Sequence, residues 1–292
     1  MNSSNSTGNS TGNLTGRTAL VTGATGGIGL WTAVGLARMG AEVTIVGRSR
    51  ERAEAAARFV AERASSPPPA IELADFASLA AVRQLAARVR ERHPVLHLLV
   101  NNAGSMVPRR QVTVDGYEST FAVNHLAPFL LTNLLLPSLR AGAPSRIVTV
   151  ASTAHQRGRI DFDDLMATRR YGAMGAYSTS KLANILFTLE LSRRLAGTGV
   201  VANSVHPGVV ATGFGAVGGA WGLAWRLARP FLLTAEQGAA TTLHVATAPE
   251  LATVSGQYFA RSRPVTPTRA ARDAAVAARL WRESEALVAA VP

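Results

Sequence analysis

The sequence predicts an α/β fold in which one doubly wound parallel sheet carries helices on both faces. Short runs rich in Val, Ile and Leu recur without polar alternation, as strands buried on both sides require. Longer stretches of helical period separate them, and that repeated order implies parallel strands joined by crossover helices. A glycine string closes the first run and opens the first helix, at the edge where such sheets bind ligands.

In chain order, strands are expected at 18–22 (TALVT), 42–46 (EVTIV), 71–73, 96–100, 146–150 and 200–205, with helices at 28–39, 50–64, 77–92, 115–139 and 176–196. Right-handed crossovers then put the ligand crevice at the carboxyl edge of the strands. Beyond Phe259 the chain passes Pro264 and Pro267 into a last helical stretch, about 269–287, whose Ala/Arg composition suits a peripheral helix. At the other end, residues 1–13 (MNSSNSTGNSTGN) carry no apolar residue after Met1. They cannot offset the entropy of ordering, so a disordered tail is expected there. Four Asn-x-Ser/Thr sequons begin at Asn2, Asn5, Asn9 and Asn13, but without an export signal they follow from composition alone. Residues 14–292 are expected to form a single domain, since α/β folds run past 250 residues as one unit.

Composition removes several function classes. A 47% hydrophobic content with 16% charged residues excludes a wholly disordered chain. The absence of cysteine excludes disulfides, thiolate nucleophiles and Cys-ligated metal, so any redox chemistry needs a bound cofactor. No uninterrupted apolar run reaches the roughly 18 residues of a membrane span, and the N-terminus has neither a basic nor an apolar signal region. No membrane span is expected, and a cytoplasmic location is. The 30 basic residues outnumber 18 acidic ones, giving +12, but arginines are scattered singly or in pairs on helical stretches, with Glu interleaved at 50–63 and 83–92. A solvated basic surface is therefore expected rather than a nucleic-acid partner. One count stands out: 29 of the 30 are Arg, and the single Lys is Lys181.

The glycine string is Thr22-Gly23-Ala24-Thr25-Gly26-Gly27-Ile28-Gly29. Gly23 permits a tight turn, Gly27 lets backbone approach a pyrophosphate, and Gly29 allows close helix–sheet packing, while the helix N-terminus offers free N–H groups. A dinucleotide site on a Rossmann-type fold follows. An NAD site would place an acid roughly 20 residues past the first glycine, at the end of the second strand. Here that strand ends Val46-Gly47-Arg48-Ser49, and the nearby acid, Glu42, is at its start and so on the wrong edge. Arg48 offers a planar fork to a 2′-phosphate, with Arg52 one turn on in support, so NADP(H) is favoured over NAD(H).

Ser152 follows the fifth strand, and Tyr177 and Lys181 stand at i and i+4 on the next helix, where phenol and ammonium share one face. A phenol of pKa near 10 is a poor acid–base catalyst at neutral pH; an adjacent cation stabilises its phenolate. Ser152 can donate to a substrate oxygen held beside Tyr177.

These residues together resemble the short-chain dehydrogenase/reductase superfamily over about residues 15–260. Its glycine motif matches Thr22 to Gly29, its adenine-contacting acid matches Asp75 in Leu73-Ala74-Asp75-Phe76, and its Asn-Asn-Ala-Gly motif matches Asn101, Asn102, Ala103 and Gly104. The catalytic Asn, Ser, Tyr and Lys match Asn124, Ser152, Tyr177 and Lys181, and the Pro-Gly after the sixth strand matches Pro207-Gly208. Asn124-His125-Leu126, Ile160-Asp161-Phe162 and Ser180-Lys181-Leu182-Ala183-Asn184 resemble the retinol-dehydrogenase-like and WW-domain-oxidoreductase-like branch, without a WW domain. Ala151 stands where that branch often has another Ser.

What the resemblance implies is mechanistic: hydride passes between NADP(H) and a carbonyl or alcohol carbon. Tyr177 serves as acid/base, Ser152 polarises the oxygen, Lys181 holds the nicotinamide ribose and tunes Tyr177, and Asn124 positions a water in the proton relay. Thr212, four residues past Gly208, matches the position contacting the carboxamide. The helices 115–139 and 176–196 commonly build a homodimer or homotetramer in this superfamily, although packing within one chain explains their apolar faces equally well.

His125, His155 and His206 show no ligand spacing and are expected to be structural or to line a pocket passively, and metal binding is not expected. Asp161, Asp163 and Asp164 are expected to form a surface turn rather than a carboxylate dyad. Substrate choice is expected in residues 209–233, ahead of the next helix, where Trp221, Trp225 and Phe231 among glycines have the composition of a mobile apolar lid. That favours a bulky lipophilic substrate, unless these aromatics instead pack on the core or a membrane surface. Two other classes stand beside this one: a scaffold repurposed for isomerisation, cyclisation or dehydration, and a noncatalytic nucleotide sensor, against which the complete Tyr/Lys set argues.

Overall fold

The computed structural model describes residues 12–210 and 233–291. Most of the expected N-terminal tail, Thr212 and the three lid aromatics lie outside the described residues.

The described residues form an eight-stranded sheet in the order β3-β2-β1-β4-β5-β6-β7-β8. Its strands are β1 (Thr18–Thr22), β2 (Glu42–Gly47), β3 (Ala70–Leu73), β4 (Leu98–Asn101), β5 (Ser145–Val150), β6 (Val200–His206), β7 (Tyr258–Ala260) and β8 (Arg263–Pro264). Seven pair in parallel and β8 adds antiparallel to β7. The order reverses between β1 and β4, which opens a crevice at their carboxyl ends. The expected doubly wound sheet is therefore present.

Helices α1 (Gly27–Arg38) and α2 (Arg50–Ala64) follow β1 and β2, and α3 (Leu79–Arg92) follows β3. After β4 comes a short turn α4 (Ser119–Phe121), a π-helical segment Ala122–Leu126 and α5 (Ala127–Ala141). Then α6 (Ala173–Arg194) joins β5 to β6, α7 (Ala235–Thr247) precedes β7, and α8 (Ala274–Ala289) closes the chain. One core holds α3, α5, α6 and α8 against the sheet. A second holds α1, α2 and α7 against the opposite face. The continuous stretch Ser119–Ala141 is apolar and long enough to span a bilayer, yet 72% of its most apolar window is buried inside the protein.

Several boundaries differ from the sequence expectation, and contacts explain three of them. β4 starts two residues late because the Leu96 N–H is taken by the Ser138 carbonyl of α5 at 2.9 Å, not by a neighbouring strand. The helix expected from 115 starts at Ser119: Gly116 adopts φ +85° in a turn, and the buried Glu118 carboxylate accepts from Thr120 and Phe121 N–H at 2.8 and 2.7 Å. The last helix starts at Ala274, where Asp273 accepts from Ala275 and Val276 N–H at 3.0 Å each. β7 and β8 were not expected at all, being only three and two residues long.

Candidate active site

The glycine loop is built by backbone contacts that side chains would prevent. Gly23 adopts φ +64°, and a Cβ there would lie 2.8 Å from the Ala103 Cα. A Cβ on Gly29 would collide with the Asn102 amide and the Gly23 carbonyl. Asn102 holds that approach, donating Nδ2 to the carbonyls of Thr22 (2.8 Å) and Gly23 (3.2 Å). No side chain caps α1 at Gly26, which leaves its first-turn N–H groups facing the crevice. Thr25 packs its methyl on Gly47, beside Arg48. The exposed Arg48 follows β2 and the exposed Asp75 follows the paired β3, so both stand at one end of the cradle. Asp75 Oδ1 also accepts from Ala77 N–H at 3.0 Å, and Arg52 Nη2 lies 3.6 Å from where a Gly26 Cβ would be. These residues fit a dinucleotide: bare backbone for the pyrophosphate, and cations at the adenosine end.

The second half of the site grows from β5 and α6. Ser152 caps a single 3₁₀ turn, Thr153–Arg157, and its Oγ accepts from Ala154 N–H at 3.1 Å, which leaves its own O–H to donate. Its side chain interacts with that of Tyr177. Burial pushes the Tyr177 phenol above its ordinary pKa, and the Ser152 interaction works against that rise. Lys181 is only 3% exposed. Its Nζ donates to the Val150 carbonyl at 2.8 Å and lies 5.6 Å from the centre of the Tyr177 ring. Burial lowers its pKa to about 8.

Asn124 is fully buried in the π-helical segment. Its Oδ1 accepts from Ser105 N–H at 2.7 Å, while Nδ2 donates to the Ser105 carbonyl and Ser180 Oγ at 2.9 Å each. Both amide hydrogens are thereby used, so the side chain braces Ser105 against Ser180. Ser180 in turn donates to the Tyr177 carbonyl at 2.8 Å. Asn124, Ser152, Tyr177 and Lys181 thus converge, with Gly104 beside Asn124 and Lys181, at the edge that carries the glycine loop.

A family model described as short chain dehydrogenase matches residues 17–221. The chain belongs to the short-chain dehydrogenase family. It is an oxidoreductase family that uses nicotinamide nucleotides on small-molecule substrates. The chain is 44% identical to human retinol dehydrogenase 13 over 93% of this chain and 84% of that protein. A short chain dehydrogenase from Burkholderia cenocepacia J2315, in complex with NADP, superposes with TM-score 0.68 at 31% identity, covering 85% of this chain and 97% of that one. A crystal structure from Mycobacterium paratuberculosis gives TM-score 0.79 at 37% identity over 96% of both chains.

Other groups expected from the sequence lie elsewhere in the described residues or outside them. His125 is buried among Phe121, Phe129 and Phe187, bonded through Nε2 to Ser284 Oγ at 2.9 Å, and burial lowers its pKa to about 4. Asp161 and Asp164 form turns, Asp164 accepting from Thr168 N–H and Oγ1 at 2.7 Å each. Pro207 and Gly208 follow β6, with Gly208 at φ +91°. Thr22 has a role that its place at the head of the glycine string does not reveal: its Oγ1 accepts from Asn102 and Ala103 N–H at 3.0 Å each and so ties β1 to β4. Its one signal is a polar residue at the end of an apolar strand. Ser180, between Tyr177 and Lys181 on α6, likewise has a bracing role that its motif does not announce.

Proposed function

We propose that this dehydrogenase exchanges hydride between NADP(H) and a carbonyl or alcohol carbon of a bulky lipophilic substrate. The observation that carries the reading is the pairing of Ser152 with Tyr177 beside the chain's one lysine, at the edge that holds the glycine cradle. Hydride donation and acceptance are what a nicotinamide nucleotide supplies when bound there. In reduction, Tyr177 Oη gives its proton to the substrate oxygen; in oxidation it takes the proton back. The Ser152 O–H donates to the same oxygen and, by also stabilising phenolate, counters the effect of burial on Tyr177. The Lys181 ammonium, fixed by Val150, has two donors left for a ribose and faces the phenol ring, which favours the anion formed after proton transfer. Asn124, through Ser180, holds the Tyr177 backbone in place.

For the nucleotide, Arg48 and Arg52 support NADP, and the NADP complex of the Burkholderia relative supports the same choice. For the substrate, relatives called retinol dehydrogenase support an extended apolar alcohol or aldehyde. The test is to follow NADPH and NADH oxidation against a carbonyl panel running from small hydrophilic ketones to long apolar aldehydes. NADPH-dependent turnover of the apolar members, lost in Tyr177→Phe, is expected. Equal product from Tyr177→Phe, or product without nucleotide, overturns the mechanism, and a preference for small hydrophilic ketones overturns the substrate assignment.

A further inference from the structure

Ser152 has to present Oγ to Tyr177 from a turn only five residues long, and two imidazoles grip that turn from opposite sides. His155, on the turn itself and 2% exposed, places Nδ1 at 2.7 Å from the Ser152 carbonyl oxygen. A carbonyl cannot donate, so the ring proton sits on Nδ1. The bare Nε2 then meets the Thr268 N–H at 3.5 Å, and the Tyr258 ring packs edge-on at 5.1 Å. His206, the last residue of β6, places Nδ1 at 3.3 Å from the Thr153 N–H. An N–H cannot accept, so here Nδ1 is bare and the proton sits on Nε2. The two rings therefore hold opposite tautomers, and both must be neutral for all these bonds to exist together.

We propose that His155 and His206 are positioning residues for Ser152: His155 fixes its carbonyl, His206 fixes the amide that follows it, and together they keep Oγ aimed at Tyr177. His206 also directly precedes Pro207-Gly208, so the clamp ties the serine turn to the loop assigned to the nicotinamide end. The groups facing the pair are each other, Arg261 beside His206 and Tyr258 beside His155. Burial lowers the pKa of both histidines, His206 to about 4, where the fields of His155 and Arg261 act in the same direction. Protonating His206 removes the acceptor for Thr153, and a second proton on His155 removes the acceptor for Thr268.

This proposal rests on Ser152 acting in the dehydrogenase reaction, and its test separates the two. Ring nitrogen shifts from ¹⁵N NMR of the full chain at pH 7 read the clamp without turnover: a neutral Nδ1–H tautomer for His155 and a neutral Nε2–H tautomer for His206 are expected. The same tautomer in both rings, or a protonated ring, overturns the clamp whatever the enzyme does. Kinetics then read its purpose. His155→Phe and His206→Phe are expected to lower kcat about ten- to a hundredfold, as misplacement on the scale of 1 Å does. The nucleotide dissociation constant, read by fluorescence, should stay within about twofold in the His155 variants. Asn, whose amide reaches the position of Nδ1, is expected to restore most of the loss at either site. Kcat within twofold of the parent in both Phe variants, or Asn variants no better than Phe at matched Tm, overturns the positioning role. A parent with correct tautomers and no nucleotide-dependent turnover instead refutes the dehydrogenase reading.

Discussion

Lys181 donates its Nζ to the main-chain carbonyl of Val150 at 2.8 Å, from a slot in which it is 3% exposed. The ammonium is held by the strand that delivers Ser152, so the cation and the serine share one rigid support. Its folded pKa of about 8 lies below the ordinary 10.5, so folding disfavours the charge. Relative to high pH, stability falls as pH drops from 10.5 through 8, reaching a cost of about 3 kcal/mol at neutrality. Lys181→Met should therefore raise Tm by a few degrees, because Val150 keeps the Asn184 amide at 3.3 Å, while turnover falls by about 10²-fold or more. Lys181→Arg should not rescue activity, since a planar fork cannot occupy a compact slot. Calorimetry and kcat on both variants check this; a lower Tm in Lys181→Met contradicts the assigned cost.

Arg48→Ala is expected to weaken NADPH binding selectively. A charge-assisted bond to a 2′-phosphate is worth about 1.5–3 kcal/mol, so the NADPH dissociation constant should rise roughly tenfold or more. NADH binding should stay within about twofold. Titration of both nucleotides by fluorescence decides it, and an unchanged preference removes Arg48 from the site.

Local patterns made half of this site legible. Gly23 to Gly29 announce their job because the turn, the close approach and the helix start fall within eight residues of one strand. Tyr177 and Lys181 announce theirs because i and i+4 share a helical face. The rest depends on contacts far apart in sequence: Asn124 reaches Ser180 across 56 residues, and His206 reaches Thr153 across 53. No spacing rule connects such pairs, so the histidines read as structural and Ser180 as a bystander. The support of the Lys181 ammonium was hidden for a related reason. Sequence places both groups on one face but does not reveal the Val150 carbonyl that holds the ammonium beside the ring. β7 and β8 escaped notice because two or three residues carry no period.

Ser180→Ala isolates the brace. It removes the donor to the Tyr177 carbonyl and leaves one hydrogen of the buried Asn124 amide unpaired, at a cost of about 1–3 kcal/mol. Because Ser180 belongs to the relay of supports and not to the cradle, kcat should fall by about tenfold while nucleotide affinity holds. Steady-state kinetics beside nucleotide titration separate the two, and an equal loss in both would mean that the brace also shapes the cofactor site.

Acid stability should be set by buried neutral histidines. His125 is 1% exposed in its aromatic cage, and its folded pKa of about 4 lies below the ordinary 6.5. The unfolded chain therefore takes up a proton before the folded one does. Stability is fully present above pH 6.5 and is lost as pH falls from 6.5 toward 4, by about 3 kcal/mol from this group alone. His93, His155 and His206 are shifted in the same direction and steepen the loss. His125→Phe keeps the cage apolar at the expense of the Ser284 bond, so it should lower stability modestly at pH 7 and flatten the acid limb. Urea unfolding at pH 7 and 4.5 measures this directly: the difference between the two should shrink by about 2–3 kcal/mol in the variant, and an unchanged difference would mean that another group carries the acid sensitivity.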